Sequence, residues 1–109
     1  MTSIPIFLVQ HIATGDYMPA RMFRSNKGWA CWSPAEPDLA KLYKPLDPSP
    51  RVFYSRKSAS SAIAGWMTGP TYYPESEDFG YDNRRKRNPQ FAKREKPLLQ
   101  IINATLQIP

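Results

Sequence analysis

The sequence is poor in the residues on which many enzymes and metal sites depend. Its 109 residues include one cysteine, Cys31, and one histidine, His11. A structural zinc site draws four ligands mainly from these two residue types, so the inventory excludes one. An intrachain disulfide is excluded as well, and we expect a protein of a reducing compartment.

The chain also lacks a long apolar run. No stretch approaches the roughly 20 apolar residues that a membrane-spanning helix needs. The opening MTSIPIFLVQHIATGD has no basic segment ahead of its short apolar run, so it does not fit a signal peptide. These absences predict a soluble, intracellular protein that does not contact a membrane.

Catalytic and cofactor motifs are missing too. A Cys31–His11 dyad is conceivable on a shared sheet, but nothing around Cys31 resembles a nucleophile environment such as a helix N-terminus. Glu75, Glu77 and Asp78 lack the spacing and the glycine of a calcium loop. No glycine motif that could cradle a phosphate is present. The sequence therefore predicts no catalytic residue, no metal site, no cofactor and no enzymatic activity.

Proline and aromatic residues, in contrast, are abundant. The chain has twelve Pro, three Trp, six Tyr and five Phe, and 41% of its residues are hydrophobic. That content can close one modest core, while the prolines break up the connections. We expect a single domain over residues 1–109, with a Pro-rich loop from Pro34 to Pro50 and an irregular, acidic-then-basic loop from Thr71 to Lys96.

Three short strands are predicted in the first third of the chain. Ser3 to Ile12 is rich in β-branched residues, and Tyr17 to Phe23 returns after a turn at Gly15. Pro19 cannot donate to a ladder, so it should lie at an edge or a bulge. A third strand is predicted over Trp29 to Ser33.

One helix is well marked. After a strand over Arg51 to Ser55, Ser55 can cap a helix of about residues 56–68 that ends at Gly69 and Pro70. Its apolar face is formed by Ala59, Ala62, Ile63, Trp66 and Met67. A single helical turn is expected from Asp38 to Tyr43, before Pro45.

A last strand is predicted from Leu98 to Ile108. It alternates, with Ile102, Ala104, Leu106 and Ile108 pointing inward. The sum is an α+β fold: a small, mostly antiparallel sheet of about four to five strands, with the helix packed on one face.

Several of these segments resemble short accessory proteins of tailed bacteriophages. The resemblance rests on TGDYMPAR, on PRVFYSRKSASSAIAGWMTG and on the closing IINATLQIP. It spans nearly the whole chain, and no activity is known to us for that group. It implies a phage accessory protein acting in the host bacterial cytoplasm. The chain departs from the group in CWSPAEPDLAKLYKPLDP and in RRKRNPQFAKREK.

The first functional hypothesis is binding to a host protein or nucleoprotein complex, as a host-takeover or anti-defence inhibitor. In a strand, Trp29 and Trp32 would point to opposite faces, so at most one would enter the core and the other could join Tyr43 as an exposed anchor. The alternative is that the Pro34 to Pro50 segment folds over that face and buries the second ring. The basic residues Arg84, Arg85, Lys86 and Arg87 would complete this partner-binding set.

The alternative hypothesis is direct binding of DNA or RNA. The net charge of +6 favours acidic partners, and Arg84 to Lys96 carries seven cations that could neutralise phosphates. The acidic run from Pro74 to Asp82 could instead fold back and cancel much of that charge. The candidate nucleic-acid-binding residues are Arg51, Arg56, Lys57, Arg84, Arg85, Lys86, Arg87, Lys93, Arg94 and Lys96.

Overall fold

The computed structural model describes the backbone of residues 2–21, 28–45, 47–72, 75–76, 80–81, 86–87 and 93–109. Side chains are described for residues 2–20, 30–45, 47, 49–70, 93–95 and 97–109. The helices and strands, in chain order, are β1 (Thr2–His11), β2 (Pro19–Arg21), a 3₁₀ helix (Gly28–Cys31), α1 (Pro37–Leu42), β3 (Asp47–Pro50), α2 (Arg56–Thr68), β4 (Thr71–Tyr72), β5 (Glu75–Ser76), β6 (Gly80–Tyr81), β7 (Lys86–Arg87), a second 3₁₀ helix (Lys96–Leu98) and β8 (Leu99–Ile108).

The first and last strands form the longest ladder. β1 and β8 pair antiparallel without interruption, from Thr2 opposite Ile108 to His11 opposite Leu99. Both ends of the chain are thereby joined in one ribbon. This confirms the two terminal strands expected from their β-branched content.

The far side of β1 pairs with two other segments. Gly15, at φ +78°, makes the turn that leads from β1 to Tyr17, which bridges Gln10. Phe53 bridges Phe7 farther along the strand, and the two residues exchange both backbone hydrogen bonds, at 2.8 and 2.9 Å. β2 and β3 continue the pairing with a register shift at Pro19, where a bulge was predicted.

Helix α2 covers one face of this sheet. The Ser55 side chain accepts a hydrogen bond from the Ser58 backbone N–H, and Gly69, at φ +71°, ends the helix. The buried residues of the helix are Ala59, Ala62, Ile63 and Trp66. They join a core that also contains Val9, Met18, Cys31, Trp32, Leu39, Phe53 and Leu99. The fold is therefore a small α+β domain, and the helix boundaries, cap and apolar face are confirmed.

Three local predictions are wrong. Trp29 lies in a 3₁₀ helix and not in a strand, and this short helix packs against α2 and β2. In the expected strand from Arg51 to Ser55 only Phe53 pairs, and the ladder lies in the preceding residues of β3. The even-numbered residues of β8, beginning with Ile102, were predicted to face the core. Instead the odd-numbered Leu99 and Ile101 pack on the side of the helix.

The segment expected to be wholly irregular contains short paired strands. β4 pairs antiparallel with β7, and β5 pairs antiparallel with β6. The acidic Glu75–Ser76 stretch thus pairs with Gly80–Tyr81, whereas the basic Lys86–Arg87 stretch pairs with Thr71–Tyr72. Among the described residues, no helix is both long and apolar enough to span a membrane.

Candidate partner-binding cleft and the tryptophan cluster behind it

A surface cleft of about 420 Å³ lies where the Gly15 turn meets the Pro-rich segment. Prolines and aromatic rings dominate its lining, with one carboxylate and one serine among them. The lining residues are Gly15, Asp16, Tyr17, Pro19, Trp32, Ser33, Pro34, Ala40, Tyr43, Pro45 and Pro50. The cleft is therefore built from two parts of the chain that are distant in sequence.

Two tyrosines give the cleft its accessible aromatic surface. Tyr17 is 38% exposed and follows the Gly15 turn. Tyr43 is half-buried against the core, and its backbone N–H caps α1 by donating to the Leu39 carbonyl at 2.9 Å. Tyr17 forms a β-bridge with Gln10, and Tyr43 is the C-cap residue of α1, so backbone hydrogen bonds position both rings. Tyr43 was among the predicted binding residues, whereas Tyr17 was missed.

Trp32 lies behind the cleft and is not an exposed anchor. Only 7% of this residue is exposed, and it belongs to the core cluster. Of the two candidate anchors, Trp32 is therefore the one that enters the core, and it offers no exposed ring to a partner. Its remaining accessible surface lines the cleft beside Pro34 and Tyr43.

Trp32, Trp66 and His11 form a packed aromatic cluster. The ring centres of Trp32 and Trp66 are 6.1 Å apart, and the indole N–H of Trp66 donates to the Trp32 carbonyl at 2.7 Å. The imidazole of His11 lies edge-on to both, at 6.3 and 6.4 Å. Such edge-to-face contacts stabilise beyond the area they bury. The cluster fixes the floor of the cleft to α2.

His11 is a core residue with a local hydrogen bond. The Thr14 backbone N–H donates to Nδ1 of His11 at 3.3 Å, and the Thr14 hydroxyl lies 3.2 Å from the same nitrogen. Burial lowers the pKa of His11 below its ordinary value, and the nearby Asp16 carboxylate opposes this shift in part. Cys31, the other member of the conceivable dyad, is wholly buried, as His11 nearly is.

Arg94 is the main correction to the predicted basic surface. It is only 6% exposed, and its guanidinium lies 4.5 Å above the Trp66 ring. The guanidinium donates to the backbone carbonyls of Ala30, Trp32 and Trp66 and to the Ser33 hydroxyl. The Trp66 carbonyl is one of those at the C-terminal end of α2 that lack a helical partner. Arg94 therefore joins the 3₁₀ helix to α2, and its guanidinium is not displayed on the surface as the basic-surface prediction required.

Three other predicted cations surround the start of α2. Arg56 and Lys57 are exposed in its first turn, and half-buried Arg51 lies 4.9 Å from the Phe53 ring centre. Arg51 and Lys57 line the same depression of about 370 Å³. Tyr54, 67% exposed, stands between them in the sequence. Thus a small basic patch with one aromatic ring is present at this end of the helix.

The remaining predicted residues are only partly described. Lys93 is exposed. For Trp29, Lys86, Arg87 and Lys96 the backbone is described and the side chain is not, and Arg84 and Arg85 lie outside the described residues. Within the described part of the chain, no group of three or more His, Cys, Asp or Glu residues is placed to hold a metal ion.

Comparison of the chain with models of protein families, with curated proteins and with solved structures found no match.

Proposed function

We propose that this protein acts by binding a partner protein through the cleft between Tyr17 and Tyr43. The observation that supports this is the cleft lining, in which two anchored tyrosines stand among prolines over a buried tryptophan. Tyrosine is among the residues that dominate binding hot spots, because it brings a large contact area at a low entropic cost. Grooves lined by aromatic rings also accept extended, proline-containing peptides.

The partner we propose is a host protein or nucleoprotein, and the resemblance to phage accessory proteins supports this choice. A stoichiometric inhibitor needs a rigid scaffold and a binding surface, and here the ribbon, α2 and the aromatic cluster supply the scaffold. The turn at Gly15 and the Pro34–Pro50 region supply the surface.

Affinity capture from host bacterial lysate, with and without nuclease, tests this proposal. We expect one host protein or complex to be retained by the tagged full-length chain after nuclease treatment. Loss of every specific protein on nuclease treatment would contradict the proposal and favour nucleic-acid binding. Mass spectrometry of the eluates gives the readout.

The basic patch at the start of α2 supports a second candidate function, direct binding of single-stranded nucleic acid. Arg56 and Lys57 offer charge for phosphates, and Tyr54 offers a ring for base stacking. Replacing both cations by alanine should reduce the slope of log affinity against log salt by about 1.4, at roughly 0.7 per phosphate contact. The Lys41→Ala/Lys44→Ala variant is the control, because it removes the same charge from exposed positions elsewhere.

A further inference from the structure

The β1–β8 ribbon is free of charge, although the protein carries a net charge of +6. Neither strand contains Asp, Glu, Lys or Arg. Strands at the edge of a sheet are usually protected from pairing with other chains by charged side chains, prolines or bulges. The ribbon thus lacks the charged side chains that usually keep an edge strand from pairing with another chain.

The backbone contacts of β1 show which residues of β8 face outward. The Phe7 N–H and C=O bond to Phe53, and the Val9 carbonyl accepts from Met18, so odd-numbered residues of β1 point away from β8. Even-numbered residues of both strands consequently pair with each other inside the ladder. The odd-numbered residues of β8 therefore direct their N–H and C=O groups to its outer edge. They are Leu99, Ile101, Asn103, Thr105 and Gln107.

The outer edges of β1 and β8 differ in the backbone hydrogen-bonding groups that they offer to another strand. Pro5 is an odd-numbered residue of β1, so the outward N–H that another strand would use is missing there. No proline, charge or bulge interrupts β8, and within the described residues it pairs only with β1. Among the described residues, therefore, nothing occupies the hydrogen-bonding groups at the outer edge of β8.

The sequence of β8 is complementary to itself in an antiparallel register centred on Ala104. In that register Asn103 lies opposite Thr105 of the second copy, and Ile101 lies opposite its Gln107. The even-numbered residues of β8 form the non-hydrogen-bonded pairs of this register. Among them, Ile102 lies close to Leu106 of the second copy, on the face opposite α2. Leu106 and Ile108 are 36% and 41% exposed in the single chain, so this pairing would cover accessible apolar surface.

A groove beside β8 offers further apolar contact. It has a volume of about 390 Å³ and runs between α2 and the strand. Its lining is mostly apolar, with Ile63, Ala64, Met67, Leu99 and Ile101, and the polar Arg56, Ser60 and Gln100 complete it. A strand added to the edge of β8 would pass along the mouth of this groove. A charge-free strand, an edge that no described residue covers and an adjacent, mostly apolar groove thus coincide.

From these observations we propose that the protein forms a symmetric homodimer in which β8 pairs antiparallel with β8 of a second copy around Ala104. The pairing is isologous, since the same edge serves both copies, and it joins two ribbons into one continuous sheet. The second copy is favoured over a foreign strand because the strand sequence matches itself and carries no charge that would repel an identical chain. This proposal is independent of the cleft, which contains no β8 residue.

Light scattering after size-exclusion chromatography of the full-length chain tests the dimer. We expect twice the chain mass of 12.5 kDa. Thr105→Pro should give the monomer mass, because it removes an outward N–H and leaves the β1–β8 ladder intact. A wild-type monomer at the highest soluble concentration, or a Thr105→Pro dimer, would overturn the proposal.

A pair of charge variants tests the register, even if Thr105→Pro fails to fold. Asn103→Lys/Thr105→Lys places like charges opposite each other and should be monomeric. Asn103→Glu/Thr105→Lys places opposite charges at the same exposed positions and should remain dimeric. Equal masses for the two variants would refute this register. In the wild-type dimer, amide exchange should be slow at Ile101 and Thr105.

Discussion

The guanidinium of Arg94 stacks 4.5 Å above the ring of Trp66 while it donates a 2.9 Å hydrogen bond to the Trp66 backbone carbonyl. The same side chain reaches Ala30, which is 64 residues away in the sequence. One arginine thereby holds the end of α2, the first 3₁₀ helix and the segment before β8 together. The cleft depends on this contact because Trp32, at its floor, is bonded to both Arg94 and Trp66.

Replacing Arg94 should therefore destabilise the whole fold. In Arg94→Met, several buried carbonyls would lose their hydrogen-bond donor. We expect the free energy of unfolding to fall by about 3 kcal/mol or more. Urea denaturation followed by tryptophan fluorescence gives the value. Lys93→Ala, at the exposed neighbour, is the control and should stay within about 0.5 kcal/mol of the wild type. Equal effects from the two variants would contradict the role given to Arg94.

Stability should fall in mild acid because of His11. The unfolded chain takes up a proton near the ordinary value of 6.5, whereas burial holds the folded pKa of His11 lower. The contribution of His11 is therefore fully present above pH 6.5 and is lost as the pH falls through 6.5 towards the folded pKa. Thermal melting at a series of pH values should show this loss, and His11→Gln should show a shallower dependence between pH 7 and 5. An unchanged slope in the variant would assign the acid sensitivity to other groups.

The N-cap of α2 should contribute measurably to stability. The Ser55 hydroxyl accepts from the Ser58 N–H at 3.1 Å, so Ser55→Ala should cost about 1 kcal/mol. Ser60→Ala makes the same chemical change at an exposed position inside the helix, where alanine is the better helix former. We expect the two variants to shift the urea midpoint in opposite directions. A shift in the same direction and of similar size would mean that the cap is not stabilising.

The features that could be predicted from the sequence are local ones. α2 was delimited correctly because its cap, its apolar spacing and its terminal glycine all lie within fifteen residues, from Ser55 to Gly69. The turn at Gly15 and the irregular pairing at Pro19 follow from the backbone limits of those two residue types. The first strand follows from its β-branched composition and the last from its alternation of apolar and polar residues.

The features that were missed depend on contacts between distant segments. Both faces of β8 carry apolar residues, so alternation could not decide whether Ile101 or Ile102 faces the helix. Nothing in the basic run distinguishes Arg94 from Lys93, since only the folded chain brings the carbonyls of the 3₁₀ helix and α2 to the arginine. Tyr17 was missed as a cleft residue because its neighbour Tyr43 lies on another element.

A comparison of tyrosine variants tests whether a partner protein docks on the cleft. The measurement is the amount of host protein captured after nuclease by the wild type, by Tyr17→Ala/Tyr43→Ala and by Tyr54→Ala. Tyr54 is a matched control, since it is 67% exposed and does not line the cleft. We predict that the double variant captures at least tenfold less partner than the wild type, a loss of about 1.4 kcal/mol of binding free energy. Tyr54→Ala should capture as much as the wild type. Equal capture by all three folded proteins would contradict the claim.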